Sequence, residues 1–434
     1  MVHRMGTLQR KTLMEDLFQD VIYPQRMHLL GYNKINNQTA MVDNDGHLSQ
    51  LIVSIATGIP GTNKKGKTGD EPGDLKDGSE VKAAYRLDQK GGKEDAHIHF
   101  GKMNRLQLEE FFTHATLYTV HHGLTVSGHY KCEIHKIDMT KTDVQNVCLA
   151  QIGAGKKDLQ PRLYPDANRK VLAGAEGGWG LKALQAQLIA RIIQTENDEA
   201  IIDVWSPQDP KPIEDGLKIK KKHLDLLGSP PEAPSKNPDL MGTKKGAKKF
   251  FQECILDYKN RLNRFTRLTN TTPMLGFSFL AQHLASMITG IKGENSKSDG
   301  DDLEGGGEVK EAFGEPWDEF SKGKDISRWN LTPKDKEKMM GEGENPWTKF
   351  VGLWFISRKN RMSVRVFSPE INHLHEQTKQ YWEQFPDGTN LNIFMRGDYE
   401  TITSFSHRIE EPICTLDCEL LIHLRETDGV EIVE

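Results

Sequence analysis

The run Asp74-Leu75-Lys76-Asp77-Gly78-Ser79-Glu80-Val81-Lys82-Ala83-Ala84 is written a second time as Asp302-Leu303-Glu304-Gly305-Gly306-Gly307-Glu308-Val309-Lys310-Glu311-Ala312. Both read Asp-Leu-x-x-Gly-x-Glu-Val-Lys-x-Ala without a gap, 228 positions apart (74 to 302). In each copy a short apolar run carrying Glu-x-Lys predicts a strand. Side chains on a strand alternate, so Glu80 and Lys82 share one face while Val81 takes the other. The Gly-containing turn before the strand predicts a hairpin that returns Asp74 to the same place. Two carboxylates and an ammonium are thereby gathered twice in one chain.

The duplication extends on both sides of these runs. Leu48, Gln50, Ser54, Thr57-Gly58-Ile59 and Gly61 recur in register as Leu280, Gln282, Ser286, Thr289-Gly290-Ile291 and Gly293, at a spacing of 232 (50 to 282). Each stretch reads as an apolar helix stopped by Gly. The loop that follows is longer in the first copy and carries Lys64, Lys65 and Lys67. Downstream, 115–120 and 130–134 read as strands, with counterparts at 351–356 and 362–367. A polar helix follows each pair, near 142–152 and 370–385. Leu159-x6-Asp166 is answered by Leu391-x6-Asp398. Leu181, Leu184, Leu188, Ile189 and Ile192 have helical spacing, as do Leu416, Leu420, Leu421 and Leu424, so both sets predict a buried helix face. A helix over 250–267 corresponds to one near 13–30.

Between the halves the composition changes. Residues 206–249 are rich in Pro and hold two basic runs, Lys218-Ile219-Lys220-Lys221-Lys222 and Lys244-Lys245-Gly246-Ala247-Lys248-Lys249, which read as a linker stiffened in places, with room for one short helix. The expected fold class is α/β, with two similar domains at 1–205 and 245–434 and a linker at 206–244. No apolar run approaches the roughly 20 residues of a membrane span. The first residues lack the apolar core of a signal peptide, and the five cysteines form no CxxC pair. Reduced thiols and a cytoplasmic location are expected. A net charge of −5 places any nucleic-acid contact on local basic patches.

Paired carboxylates repel unless a divalent cation lies between them. Oxygen-only ligands suit Mg²⁺, which keeps several waters and often shares its other positions with phosphate oxygens. A water on such a cation deprotonates more readily, and a neighbouring Lys can orient it or stabilise charge developing on phosphorus. The spacing Asp, then Glu-x-Lys, resembles the PD-(D/E)xK nuclease superfamily, which includes most type II restriction endonucleases. The resemblance covers the helix, loop, hairpin and following strands of each half. It implies two tandem restriction-endonuclease-like folds, each a mixed sheet flanked by helices. It also implies Mg²⁺ held by Asp74, Glu80 and the Val81 carbonyl, with Lys82 assisting the attacking water. Asp302, Glu308, the Val309 carbonyl and Lys310 would do the same in the second half. The family's Pro-Asp dipeptide is absent: Pro72-Gly73-Asp74 and Gly300-Asp301-Asp302 stand there. Asp77 rivals Asp74, but Gly305 matches it in the second copy; Asp301 rivals Asp302 in the same way.

Other candidates carry less. Gln50 and Gln282 recur on the helix before each hairpin, either supporting the carboxylates or packing as helix amides. His97-Ile98-His99 would put two imidazoles on one strand face, with no third ligand type nearby. His121-His122 follow an apolar strand and read as turn residues. Glu15 lies in the first helix, where this superfamily often adds a carboxylate, but its alignment with the second half is not clean. Cys414-x3-Cys418 would place two sulfurs on one helix face without a second pair. Lys64, Lys65 and Lys67, with Arg358, Lys359 and Arg361 of a second-half turn, are candidate phosphate contacts; solvated loops are the bland reading of all of them.

Related enzymes pair two identical subunits, one per DNA strand. Joining the two sites in one chain implies a monomer with an internal pseudo-two-fold, acting on double-stranded DNA as a site-specific hydrolase of a restriction-modification system. A cognate DNA methyltransferase encoded alongside is the implied partner, and further oligomerisation stays open. A structure-specific repair or junction nuclease, or a DNA-binding protein with relic nuclease domains, are the competing readings.

Overall fold

The computed structural model describes residues 3–4, 7–22, 24–25, 28–29, 32, 46–62, 73–85, 98–99, 108–109, 111–124, 130–152, 162–164, 178–195, 200–207, 218–219, 243–269, 278–293, 302–314, 328–332, 336–343, 345–358, 361–385, 391–395, 402–406, 414–427 and 430–433. The chain forms two compact units. The first comprises Met1–Pro24, Asn44–Glu232 and Lys259–Met274; the second comprises Gln25–Asp43, Ala233–Tyr258 and Leu275–Glu434. Each unit therefore includes a segment drawn from the other half of the sequence.

In the first unit, helix α1 (Thr7–Leu17) runs into a π-helical turn (Phe18–Ile22), and helix α2 (Gly46–Thr57) follows. A five-stranded sheet comes next, its strands β1 (Glu80–Tyr85), β2 (Thr116–Leu124), β3 (Tyr130–Asp138), β4 (Gln187–Gln194) and β5 (Ala200–Trp205) lying side by side in that order. β1 and β2 are parallel, and the other pairs are antiparallel. Helix α3 (Thr142–Ile152) packs Val144 and Cys148 into a core with Ala84, Leu117 and Ile137.

The second unit begins with helix α4 (Lys244–Phe250), a π-helical turn (Phe251–Leu256) and helix α5 (Asp257–Thr269), of which residues from Lys259 on group with the first unit. Helix α6 (Ser278–Thr289) leads to β6 (Gly307–Phe313), β7 (Lys349–Arg358), β8 (Arg361–Pro369), β9 (Cys418–Glu426) and β10 (Val430–Val433), again adjacent in sequence order. β6 and β7 are parallel and the rest antiparallel. Helix α7 (Ile371–Gln384) starts at Glu370, whose carboxylate accepts from the N–H groups of Asn372 and His373, a capping arrangement at the positive end of the helix.

The two sheets agree in detail. The β3–β4 ladder slips between Ile134 and His135, and the β8–β9 ladder slips between Val366 and Phe367. A π-helical turn follows the first helix of each half. The helices before the repeated runs end identically: Gly58 and Gly290 take φ +76 and +75, and each N–H bonds a Ser carbonyl four residues back, at 2.9 Å in both. A side chain would be strained at such φ, so Gly is required there. Thr57 and Thr289 each donate their hydroxyl to the carbonyl four residues earlier and accept the N–H of Ile59 and Ile291. The recurrent Thr-Gly-Ile is thus a helix stop written in side chains.

Several sequence expectations fail. Residues 181–185 form a turn and 187–194 are β4, while Leu420, Leu421 and Leu424 lie on β9. Apolar side chains on both sides of a central strand mimic helical spacing over a few residues, and the ladder slip in each strand disturbs the period of two. Cys414 and Cys418 consequently sit on separate strands rather than one helix face. The basic run at Lys244–Lys249 is helical: Thr243 accepts from Gly246 N at 3.0 Å and caps it as α4. His121 and His122 are buried strand residues of β2, not turn residues.

Candidate active site

Asp74 does not sit on a ladder strand. A tight loop holds it: Asp74 N donates to Ser79 O at 2.8 Å and Leu75 N to the same carbonyl at 3.1 Å. The expected hairpin is therefore half a strand and half a looped turn, with only isolated bridges at Gly61–Leu75 and, in the second unit, Leu303–Gly307. Gly73 has φ +86, and a Cβ there would lie 2.5 Å from Gly78 backbone atoms. Proline, fixed near φ −65°, cannot occupy that position, so Gly rather than Pro precedes Asp74.

Both carboxylate oxygens of Asp74 are engaged. Gln50 Nε2, from α2, donates to Oδ1 at 2.8 Å, and Val81 N donates to Oδ2 at 2.9 Å. Lys82 donates to the Glu80 carboxylate two residues away on the same strand face. The second unit repeats every contact: Gln282 Nε2 to Asp302 Oδ1 at 2.5 Å, Val309 N to Asp302 Oδ2 at 2.9 Å, and Lys310 to Glu308. The two rivals separate here. Asp77 is exposed and accepts Ser79 N at 3.0 Å, a turn-closing role, while Asp301 lies outside the described residues. Loop-to-loop bonds recur too, Lys76 N to Pro60 O at 2.9 Å and Glu304 N to Lys292 O at 2.7 Å.

The surroundings of Asp302 disfavour its charged form. Burial, reinforced by the nearby Glu308 carboxylate, pushes its pKa up to about 7, against lowering by the Val309 N–H and by Lys310. Two carboxylates beside one Lys and the N–H donors of Gln282 and Val309 make a locally acidic site, of the kind that a divalent cation satisfies. Among the described residues no three His, Cys, Asp or Glu converge. A cation here would draw on two carboxylates, backbone carbonyl and water, which fits Mg²⁺ better than metals that require imidazole or thiolate.

The remaining candidates scatter. Lys64, Lys65, Lys67, Lys359 and His97 lie outside the described residues, as do the side chains of His99 and Arg358. Arg361 is exposed at the start of β8, in a hairpin where Arg358 pairs with it. Sequence reasoning missed the groups that pin each turn. His114 Nδ1 lies 2.9 Å from Gly78 O in the first unit, whereas Thr348 Oγ1 donates to Gly305 O at 2.5 Å in the second. Their partners are backbone carbonyls, which carry no sequence signature.

Comparison with known proteins sets two separate segments of the chain beside one class, the type II restriction endonucleases, to which they are similar. The family model described as MamI restriction endonuclease matches residues 31–143 and 264–352, segments that contain the first and the second repeated run respectively. The type II restriction enzyme MamI of Microbacterium ammoniaphilum is 45% identical over 79 residues, 18% of this chain and 24% of that enzyme. The matched stretch thus spans about a quarter of the length of the curated relative. No solved structure matches the chain.

Proposed function

We propose that the chain is a Mg²⁺-dependent, sequence-specific endonuclease of double-stranded DNA, a type II restriction enzyme working as a single-chain pseudo-dimer. In this reading each half is a PD-(D/E)xK domain, at 1–205 and 245–434 with 206–244 between, and each hydrolyses one strand. The observation that carries it is the same set of Gln, Asp, Glu and Lys side chains and a Val N–H, with matching bonds, built on two sheets of identical strand order. A cognate DNA methyltransferase is the partner that protects host DNA from such an activity.

Asp74 and Glu80 with the Val81 carbonyl, and Asp302 and Glu308 with the Val309 carbonyl, are the groups that would hold the cation. When bound, Mg²⁺ supplies a more acidic water and positive charge beside the phosphate. Gln50 and Gln282 fix the orientation of the Asp carboxylates. Lys82 and Lys310, already on the strand face of their Glu partners, orient the attacking water and offset charge on the phosphoryl oxygens as water adds to phosphorus and one ester P–O bond breaks.

A supercoiled-plasmid assay with Mg²⁺, comparing the native chain with Lys82→Ala and Lys310→Ala, tests this. The native chain is expected to linearise a plasmid bearing its site, and each variant to stop at the nicked circle. A variant that retains full double-strand cleavage would make its half structural. Absence of cleavage on any plasmid, with DNA bound, would favour the repair-nuclease or relic reading.

A further inference from the structure

Beyond the repeated runs, the second sheet gathers several guanidiniums around one cavity, where the equivalent row of the first sheet includes an acid. Lys310 pairs in register with Gly352. Moving along β7 on that face, the next cross-strand row is Trp354, Arg365 and His423, and the one after is Ile356, Ser363 and Arg425. A cavity of about 550 Å³ opens over these rows, lined by Arg361, Arg365, Arg425, His423, Ser363 and Glu426 among others. Ile356 stands four residues past Gly352, roughly 13 Å along the strand, a reach of a few nucleotides on one duplex.

Among the described residues, three guanidiniums and one carboxylate line this cavity. That carboxylate, Glu426, accepts Met362 N at 2.7 Å, and Arg425 also binds Glu431 at 2.7 Å. Burial, then the proximity of Arg365 and Arg425, lowers the His423 pKa to about 4 against the influence of Glu431, so its ring is a neutral hydrogen-bonding group at pH 7. Arginine forks match phosphate oxygens in pairs, which an ammonium does not.

The first unit inverts this pattern. In the row His121, Glu133 and Arg191, an acid occupies the place of Arg365. Glu133 pairs with Lys131 at 2.9 Å and Arg191 at 3.6 Å, and Arg191 with Asp203 at 2.7 Å. Opposite charges there satisfy one another.

We propose that the second-unit cavity binds backbone phosphates of the DNA duplex, an anchoring role distinct from that of the ion-paired row of the first unit. The inference rests on the nuclease reading and adds that the two halves grip DNA unequally. It is tested on the full chain in EDTA, where cleavage is silent, by the anisotropy of a fluorescein-labelled duplex over a KCl series. Arg361→Gln combined with Arg365→Gln is expected to weaken binding several-fold on duplexes of any sequence. The slope of log affinity against log salt should fall by about 1–2, one for each phosphate no longer neutralised. Arg365→Lys should keep most of the slope, and Lys131→Gln in the first unit all of it. An unchanged slope in the double Gln variant, with the native chain binding normally, overturns the proposal and spares the nuclease reading. Failure of the native chain to bind duplex DNA both in EDTA and with Ca²⁺ in place of Mg²⁺ overturns both.

Discussion

Gln50 presents its amide to Asp74 Oδ1 at 2.8 Å, leaving Oδ2 to the Val81 N–H at 2.9 Å, and Gln282 holds Asp302 in the same way. The carboxylate is thus locked from two sides by groups that can only donate. Replacing either Gln with Leu removes one lock and lets the carboxylate turn. Loss of such an orienting partner typically costs about 10–100-fold in metal affinity. Q50L and Q282L are each expected to lower Mg²⁺ affinity in that range, read by calorimetric titration, with little change in thermal stability. Unaltered Mg²⁺ affinity would reduce both residues to helix-packing amides.

Asp302 makes a separate prediction about stability. Its folded pKa, about 7, lies above the ordinary carboxylate value of 3.8, because burial and Glu308 disfavour its charge. The protonated form is favoured by folding, so its contribution is fully present below about pH 4 and is lost as pH rises through 7. Asp302→Asn removes this dependence. In EDTA the native chain should lose stability relative to D302N between pH 4 and 8, by thermal melts; added Mg²⁺ should close the gap for the native chain alone. Parallel melting curves across that range would show that Asp302 is already charged and satisfied when folded.

The repeated run is legible in the sequence because both copies build the same contacts: Asp to the Val N–H, Lys to Glu, and Leu75 and Leu303 buried beneath the turn. Gln50 and Gln282 are visible for the same reason. The strand around Leu188–Ile192 mimics a helix because both of its sides hold apolar residues. The turn-pinning roles of His114 and Thr348 leave no trace because the halves pin their turns with different residues at different carbonyls. The row of Arg365, His423 and Arg425 depends on strand register, which a single sequence does not state.

Three imidazoles of the first sheet predict acid sensitivity. His121 and His122 are fully buried on β2, and His121 lies 6.0 Å, ring to ring, from His135 on β3. Burial foremost, and for His121 the neighbouring His135 and His122, lowers their pKa values to about 3; His135, mainly through burial, falls to about 4 despite Glu133. Groups held neutral in the fold but near 6.5 when unfolded stabilise the protein above pH 6.5, and that contribution is lost as pH falls toward 4. Each ring should cost on the order of 1–2 kcal/mol at pH 5. The parallel registers put Trp354 in the second unit where His121 stands, and Phe355 where His122 stands. His121→Phe combined with His135→Phe is expected to flatten the loss of stability between pH 6.5 and 4.5, followed by urea unfolding; equal pH slopes with the native chain would count against it.

The support beneath Lys310 carries a further prediction. Its register partner is Gly352, whereas Lys82 is partnered by Thr119. The reason is Trp329: a Cβ on Gly352 would stand 2.2 Å from its Cζ2 and 2.3 Å from its Cη2. That ring is fully buried, donates Nε1 to Leu353 O at 3.0 Å, and packs against Phe350 and Trp354 at centroid distances of 5.8 and 5.4 Å. It has no room to retreat, so Gly352→Ala must push β7 instead. Overpacking of this kind costs about 1–3 kcal/mol, and the displaced strand carries the register partner of Lys310. A lower urea midpoint is expected, together with selective loss of the second unit's nicking. Adding Trp329→Phe should recover part of the midpoint by shrinking the ring. If G352A unfolds at the native midpoint, the glycine is not there for the indole.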